Sequence, residues 1–208
     1  MKVAILDAHD LSRHGLTVIL TQSPDNLPVI KVMSRKSDLE AFLRTDACDV
    51  LLLDDAVDTV CDVSEVLSYI RQTAPEARVI VLSQMLHQGY IQQLIQEGAK
   101  GFLYKGDRLE EILPLAIRSV MRDELYLSPR ASALPYQSQS ANINTLGVRE
   151  CRVLQLLSTG LTVSEIAKSL HLHIKTVYKS RDKLRDGLGV RTNEQIVPTA
   201  RSRGLLSD

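Results

Sequence analysis

Four residues carry groups suited to phosphoryl chemistry, and each closes a short aliphatic run: Asp7 after residues 3–6, Asp54 after 50–53, Ser83 after 79–82 and Lys105 after 101–103. Carboxylates are oxygen ligands for a hard cation such as Mg²⁺. An ammonium pairs with one phosphate oxygen while a hydroxyl donates to another. A second constellation lies in residues 161–191, LTVSEIAKSLHLHIKTVYKSRDKLRDGLGVR, where Lys175, Thr176, Tyr178, Lys179, Arg181, Asp182, Lys183 and Arg185 crowd one short segment. Cations and a hydroxyl at a helix start suit a polyanion, because the unpaired N–H groups there already favour phosphate.

The elements that must position the first set alternate in type. Strand-like runs at 3–6, 29–33, 50–53, 79–82 and 101–103 are separated by amphipathic helical stretches at 11–20, about 38–43, 63–71, 88–96 and 109–121. Five β-then-α units predict an α/β fold with a doubly wound five-stranded parallel sheet. In such sheets functional groups collect at the carboxyl ends of the strands, which brings Asp7, Asp54, Ser83 and Lys105 to one edge.

The second set reads as helix, turn, helix. Ile166, Ala167 and Leu170 fall on one side of a helix capped by Thr162 or Ser164. Residues 172–175 read as the turn, and a second helix from Thr176 turns Val177, Leu184 and Leu188 inward. The expected organisation is an α/β domain over 1–125, a flexible linker over 126–144 with two prolines and repeated serines, and an all-helical domain over 145–208. His171 and His173 flank the turn and read as surface residues, since H-x-H without acids or cysteines is a weak metal signal.

Charge divides the chain in the same way. The total is neutral, with 25 basic and 25 acidic residues, yet residues 1–124 hold 13 basic against 19 acidic and residues 145–208 hold 11 against 6. A basic C-terminal half can neutralise phosphates and release counterions. Cys48, Cys61 and Cys151 are odd in number and contain no CxxC pair, so neither a disulfide framework nor a zinc site is signalled. No apolar run approaches the ~20 residues that cross a bilayer, and no leader opens the chain, so a cytoplasmic protein without membrane contact is expected.

The N-terminal half resembles a response-regulator receiver domain. The resemblance rests on Asp54 in DVLLLD, Ser83 in VIVLS and Lys105 in GAKGFLYK, and spans about residues 1–122. It implies that Asp54 is the phosphoacceptor, that Asp7, Ser83 and Lys105 line its pocket, that Phe102 is the aromatic switch, and that Asp7 and Asp54 hold Mg²⁺. The C-terminal half is similar to the four-helix helix-turn-helix domain of LuxR/NarL-type (NarL/FixJ) regulators. Arg149, Glu150, Leu154, Gly160, Glu165, Ile166, Ala167, Leu170, Lys175, Thr176 and Val177 fall in register with that pattern. This resemblance implies double-stranded DNA as partner, with Lys175 and Thr176 at phosphates and Tyr178, Lys179, Asp182 and Lys183 toward bases or phosphates. Arg181 and Arg185 follow as second choices. A homodimer on paired half-sites is implied, with the last helix, 194–203, as a dimer contact; Pro198 inside it should kink or shorten that helix.

The receiver half departs from its family's pattern at three places. The second acid after the first strand is Ala8, so the direct metal ligand is missing. The loop after Asp54 reads Asp55-Ala56-Val57-Asp58-Thr59-Val60-Cys61, without the usual proline and glycine, and Gln84 follows Ser83 where a small residue is usual. Asp10, Asp55 or Asp58 could substitute as ligand, although strand alternation points Asp55 away from Asp54. The resulting expectation is a DNA-binding transcriptional regulator, not an enzyme, with an atypical receiver that is weakly or not phosphorylated. The alternative is a conventional regulator switched at Asp54 by a sensor histidine kinase. More distant readings are an aspartyl-phosphate hydrolase, opposed by Ala56 where an acid/base aspartate would stand, and a protein-binding adaptor, suggested by Asp182 on a DNA-facing helix.

Overall fold

The computed structural model describes residues 1–24, 27–57, 63–134, 146–170, 172–203 and 205–206. The chain forms two compact units, Met1–Gln84 with Leu94–Ala133, and Met85–Gln93 with Leu134–Asp208.

Up to residue 127 the described chain alternates strand and helix: β1 Val3–Leu6, α1 Asp10–Gln22, β2 Val29–Met33, α2 Lys36–Leu43, β3 Val50–Asp54, α3 Val63–Thr73, β4 Arg78–Ser83, α4 Gln88–Gln96, β5 Gly101–Tyr104, α5 Leu109–Met121 and β6 Tyr126–Leu127. All neighbouring strands pair in parallel, in the order β2-β1-β3-β4-β5-β6. The aliphatic runs become the central strands because β1 and β3 are buried along their whole length, which a parallel sheet covered on both faces demands. One face packs Leu16 and Leu20 of α1 and Leu113, Ala116, Ile117 and Val120 of α5 against Val3, Ile5, Leu52, Ile80 and Leu103.

The sheet has six strands where five were expected. Tyr126–Leu127 pairs with Gly101 and Phe102, and the Ser128 N–H donates to the Phe102 carbonyl at 2.9 Å. Pro129 then sits at the start of a one-turn helix, α6 Pro129–Ser132. The buried Ser128 hydroxyl accepts from the Tyr104 N–H at 3.0 Å. A two-residue strand is too short to register as a periodic signal. The first part of the expected linker is therefore ordered against β5, and residues 135–144 lie outside the described residues.

The second unit holds α7 Val148–Ser158, α8 Val163–Ser169, α9 Ile174–Gly187, a 3₁₀ turn Asn193–Gln195 and α10 Ile196–Ser202. Its core gathers Val153, Leu154, Ile166, Val177, Leu184, Leu188, Ile196 and Ala200, all buried. Thr162 caps α8 in a reciprocal arrangement with Glu165, each side chain taking the other's backbone N–H. Helix α9 starts at Ile174, two residues earlier than expected, because His173 is its cap and accepts the Lys175 N–H at 3.2 Å. Pro198 falls in the first turn of α10, where a missing N–H costs no intrahelical bond, so the helix is short and follows a 3₁₀ turn. Among the described residues no helix is long and apolar enough to cross a membrane.

Candidate functional site

The sheet register explains how distant residues meet at one edge. Leu6 lies beside Leu53, Asp54 beside Leu82 and Ser83 beside Tyr104. The next residues, Asp7, Asp55 and Lys105, therefore emerge together at the carboxyl ends. Asp7 and Asp54 are each 1 % exposed and Ser83 is fully buried. The Lys105 ammonium bridges the two carboxylates, pairing with Asp54 Oδ2 and lying 3.5 Å from Asp7 Oδ2.

Every oxygen of the two buried aspartates has a donor. Asp7 Oδ1 accepts the His9 N–H at 2.8 Å, and Oδ2 accepts the Ser12 hydroxyl. Asp54 Oδ1 accepts the Ala56 N–H at 2.7 Å, which folds the chain into a turn immediately after β3. Burial pushes the Asp54 carboxyl up to about 7, reinforced by the Asp7 and Asp55 carboxylates and opposed by Lys105. For Asp7 burial acts upward too, but the donors Asp54, Ser12, the His9 N–H and Lys105 outweigh it and hold the group below its ordinary range. Burial alone would lower Lys105, yet the charge of Asp54, its hydrogen bond and the carboxylates of Asp7 and Asp55 raise it, so it stays an ammonium.

Of the substitute acids among the described residues, neither Asp10 nor Asp55 joins the pair as a third ligand. Asp10 is exposed and pairs with Arg13, and Asp58 lies outside the described residues. Asp55 does turn into the pocket, because β3 ends at Asp54, but its carboxylate meets Ser83: Ser83 Oγ donates to Asp55 Oδ2 at 2.5 Å. The residue that joins the aspartates is His9, which the sequence reading did not single out. Ligand atoms of Asp7, His9 and Asp54 all lie within 4.8 Å of one another. Gln84 is exposed, and Phe102 is fully buried in β5.

This donor set offers two carboxylates to a hard cation such as Mg²⁺, one fewer than the family pattern. That ion takes a near-octahedral shell of oxygens and keeps several waters; here Ala8 supplies no ligand, the third nearby ligand is the His9 imidazole, and Lys105 holds a positive charge between the two carboxylates. Imidazole suits softer divalent metals.

The C-terminal unit presents a different surface. On α9, Lys175, Tyr178, Lys179, Asp182 and Lys183 are exposed, Thr176, Arg181 and Arg185 are half-buried, and Val177, Ser180, Leu184 and Gly187 face inward. Arg181 stacks over the Tyr178 ring, 4.9 Å from its centroid. Asp182 pairs with Arg185 at 2.9 Å, so the acid on this face is balanced within its own helix. The buried Glu150 of α7 accepts the Ser180 hydroxyl at 3.0 Å and lies 3.6 Å from the Lys183 ammonium, which orients α9 from behind. Ile174, 39 % exposed at the start of α9, is an apolar addition to this face that sequence reasoning assigned to the turn.

Residues 3–116 match the family described as the response regulator receiver domain, and residues 144–200 match bacterial regulatory proteins of the luxR family. The oxygen regulatory protein NreC of Staphylococcus aureus (strain JH9) is 27 % identical, over 99 % of both chains. Among solved structures, RcsB of Salmonella enterica serovar Typhimurium, bound to promoter P1flhDC in the presence of the phosphomimetic BeF3⁻, superposes with a TM-score of 0.73. It shares 24 % identity and covers 97 % of this chain and 98 % of its own. A structure of two RcsB dimers bound to two parallel DNAs gives a TM-score of 0.62 at 24 % identity, with 97 % and 98 % coverage.

Proposed function

Because the chain belongs to the response-regulator receiver family and carries a luxR-family module, as a DNA-binding transcription regulator of the NarL/LuxR type, we propose that α9 is its reading helix and that its receiver is weakly or not phosphorylated. The single observation that carries the first part is the exposed row of Lys175, Tyr178, Lys179 and Lys183 on a helix whose opposite face is locked in the core. Such a helix enters the major groove, with cations and Thr176 at phosphates and Tyr178 and Asp182 near base edges. Arg181 orders the Tyr178 ring rather than reaching outward alone.

One helix of this kind reads a half-site of about 5 to 6 base pairs, so specific binding calls for a homodimer. RcsB, which shares the fold, is described as dimers on DNA, and this supports the same arrangement here. Fluorescence anisotropy on duplexes selected from genomic fragments, titrated with salt, tests the proposal. Absence of binding at low salt overturns it.

Within the receiver, the role proposed for Asp7, Asp54, Ser83 and Lys105 is regulatory. Ala8 in place of the second acid, and the Lys105 ammonium seated between the two remaining carboxylates, support weak phosphorylation of Asp54. A second reading, a conventional switch phosphorylated at Asp54 by a sensor histidine kinase, draws on the convergence of Asp54 and Lys105 at one buried edge. Intact mass after incubation with acetyl phosphate and Mg²⁺ separates the two.

A further inference from the structure

The acyl phosphate that Asp54 could form would bring roughly −1.5 to −2 charges and three acceptor oxygens into the pocket, and those oxygens need donors. Two side-chain donors of the pocket suited to those oxygens are the Ser83 hydroxyl and the Lys105 ammonium. Both are committed to carboxylates of the chain itself: Ser83 to Asp55, and Lys105 to Asp54 and Asp7.

We propose that Asp55 is a resident anion of this pocket, its carboxylate holding the Ser83 hydroxyl in the engagement that a phosphoryl oxygen would otherwise provide. The inference rests on reading the pocket as a receiver site, and goes beyond weak phosphorylation by naming the group that takes the phosphoryl group's place.

Three observations carry it. First, the contact follows from the fold: Asp54 lies beside Leu82, so the next residue of the β3 end lies beside Ser83, and the Asp55 N–H is fixed to the Leu82 carbonyl at 3.0 Å. Second, Ser83 is fully buried, so its hydroxyl needs an acceptor from the protein, and Asp55 Oδ2 is one at 2.5 Å. Third, the carboxyl groups of Asp7, Asp54 and Asp55 already face one ammonium, that of Lys105. A phosphoryl group arriving there meets a like charge 2.5 Å from the hydroxyl it needs. Phe102 is fully buried on β5, beside Val81 of the strand that ends in Ser83.

The test uses the full chain and beryllofluoride (BeF3⁻) with Mg²⁺ as the phosphoryl probe, read by ¹⁹F NMR of the bound ion. Because Ala8 by itself weakens any metal-assisted binding, the comparison is made in an Ala8→Asp background. Ala8→Asp/Asp55→Ala is expected to take up the probe about 10- to 100-fold more tightly than Ala8→Asp alone, the worth of a charge-assisted hydrogen bond returned to the ligand. Adding Ser83→Ala to the double variant is expected to remove most of that gain, since the freed hydroxyl is its main source. Asp55→Val, which fills the space and offers no acceptor, replaces Asp55→Ala if melting curves show that the alanine variant is unfolded. Equal uptake with and without Asp55, including no uptake by either, overturns the proposal. A gain undiminished by Ser83→Ala also overturns it. Stoichiometric phosphorylation of the unaltered chain at Asp54 would instead remove the reading beneath it, an outcome seen in a different sample and by a different signal.

Discussion

Glu150 and Ser180 form a buried hydrogen bond across helices α7 and α9, Ser180 Oγ donating to Glu150 Oε1 at 3.0 Å. Both side chains are sealed from solvent, so neither can turn to water when the other is removed. Lys183, one turn further along, adds its charge at 3.6 Å. The three residues fix the rotation of α9 about its axis, and hence which residues it presents outward.

Removing Glu150 leaves a buried hydroxyl without its acceptor. Glu150→Ala is expected to cost about 1–3 kcal/mol of stability. Glu150→Gln retains an oxygen for Ser180 and loses the charge facing Lys183, so its cost should be smaller. Urea denaturation of the two variants checks the order. Equal losses would mean that the charge, and not the hydroxyl's acceptor, matters.

The raised Asp54 carboxyl makes stability depend on pH with a definite sign. Its folded value of about 7 lies above the ordinary 3.8, so between those values the folded chain binds more protons than the unfolded one. Stability contributed by this group therefore falls as pH rises from about 4 to about 7 and is constant above. Asp7, held below its ordinary value, acts in the opposite sense and only at lower pH. Relative to Asp54→Asn, the wild-type denaturation midpoint is expected to decline from pH 5 to pH 8. Parallel profiles for the two proteins would show that Asp54 is ionised throughout this range.

Lys179 is exposed on the outer face of α9. If it meets a phosphate, Lys179→Ala weakens binding to all duplexes alike and reduces the slope of log affinity against log salt by about one. Asp182→Ala tests a different role: near a cytosine amino group its loss changes which sequences are preferred. Anisotropy titrations at several salt concentrations measure the first effect, and selection from a randomised duplex pool measures the second. An unchanged slope in Lys179→Ala contradicts the placement of that residue.

The positions of Asp7, Asp54, Ser83 and Lys105 were legible because each ends an aliphatic run, and parallel register then brings strand ends together without further information. The role of Asp55 was not. Simple alternation sends it to the far side of Asp54, and only the end of β3 and the Ala56 N–H on Asp54 turn its carboxylate toward Ser83. Strand β6 was hidden for a related reason: two residues before a proline have no period, and their pairing depends on the edge that β5 leaves open. On α9 the inward residues Val177, Leu184 and Leu188 follow from spacing alone. The buried polar position Ser180 does not, because its partner lies 30 residues away on another helix. The start of α9 was misplaced because Thr176 is a common cap residue, whereas the cap here is a histidine nitrogen.

The most direct measurement of the central claim follows one sample by two signals: intact mass and affinity for a selected duplex, before and after acetyl phosphate with Mg²⁺. The account expects salt-sensitive DNA binding by the unmodified chain, at most a small fraction of protein carrying one added phosphoryl group, and no change in affinity. Stoichiometric modification at Asp54 accompanied by a rise in affinity of tenfold or more would contradict it.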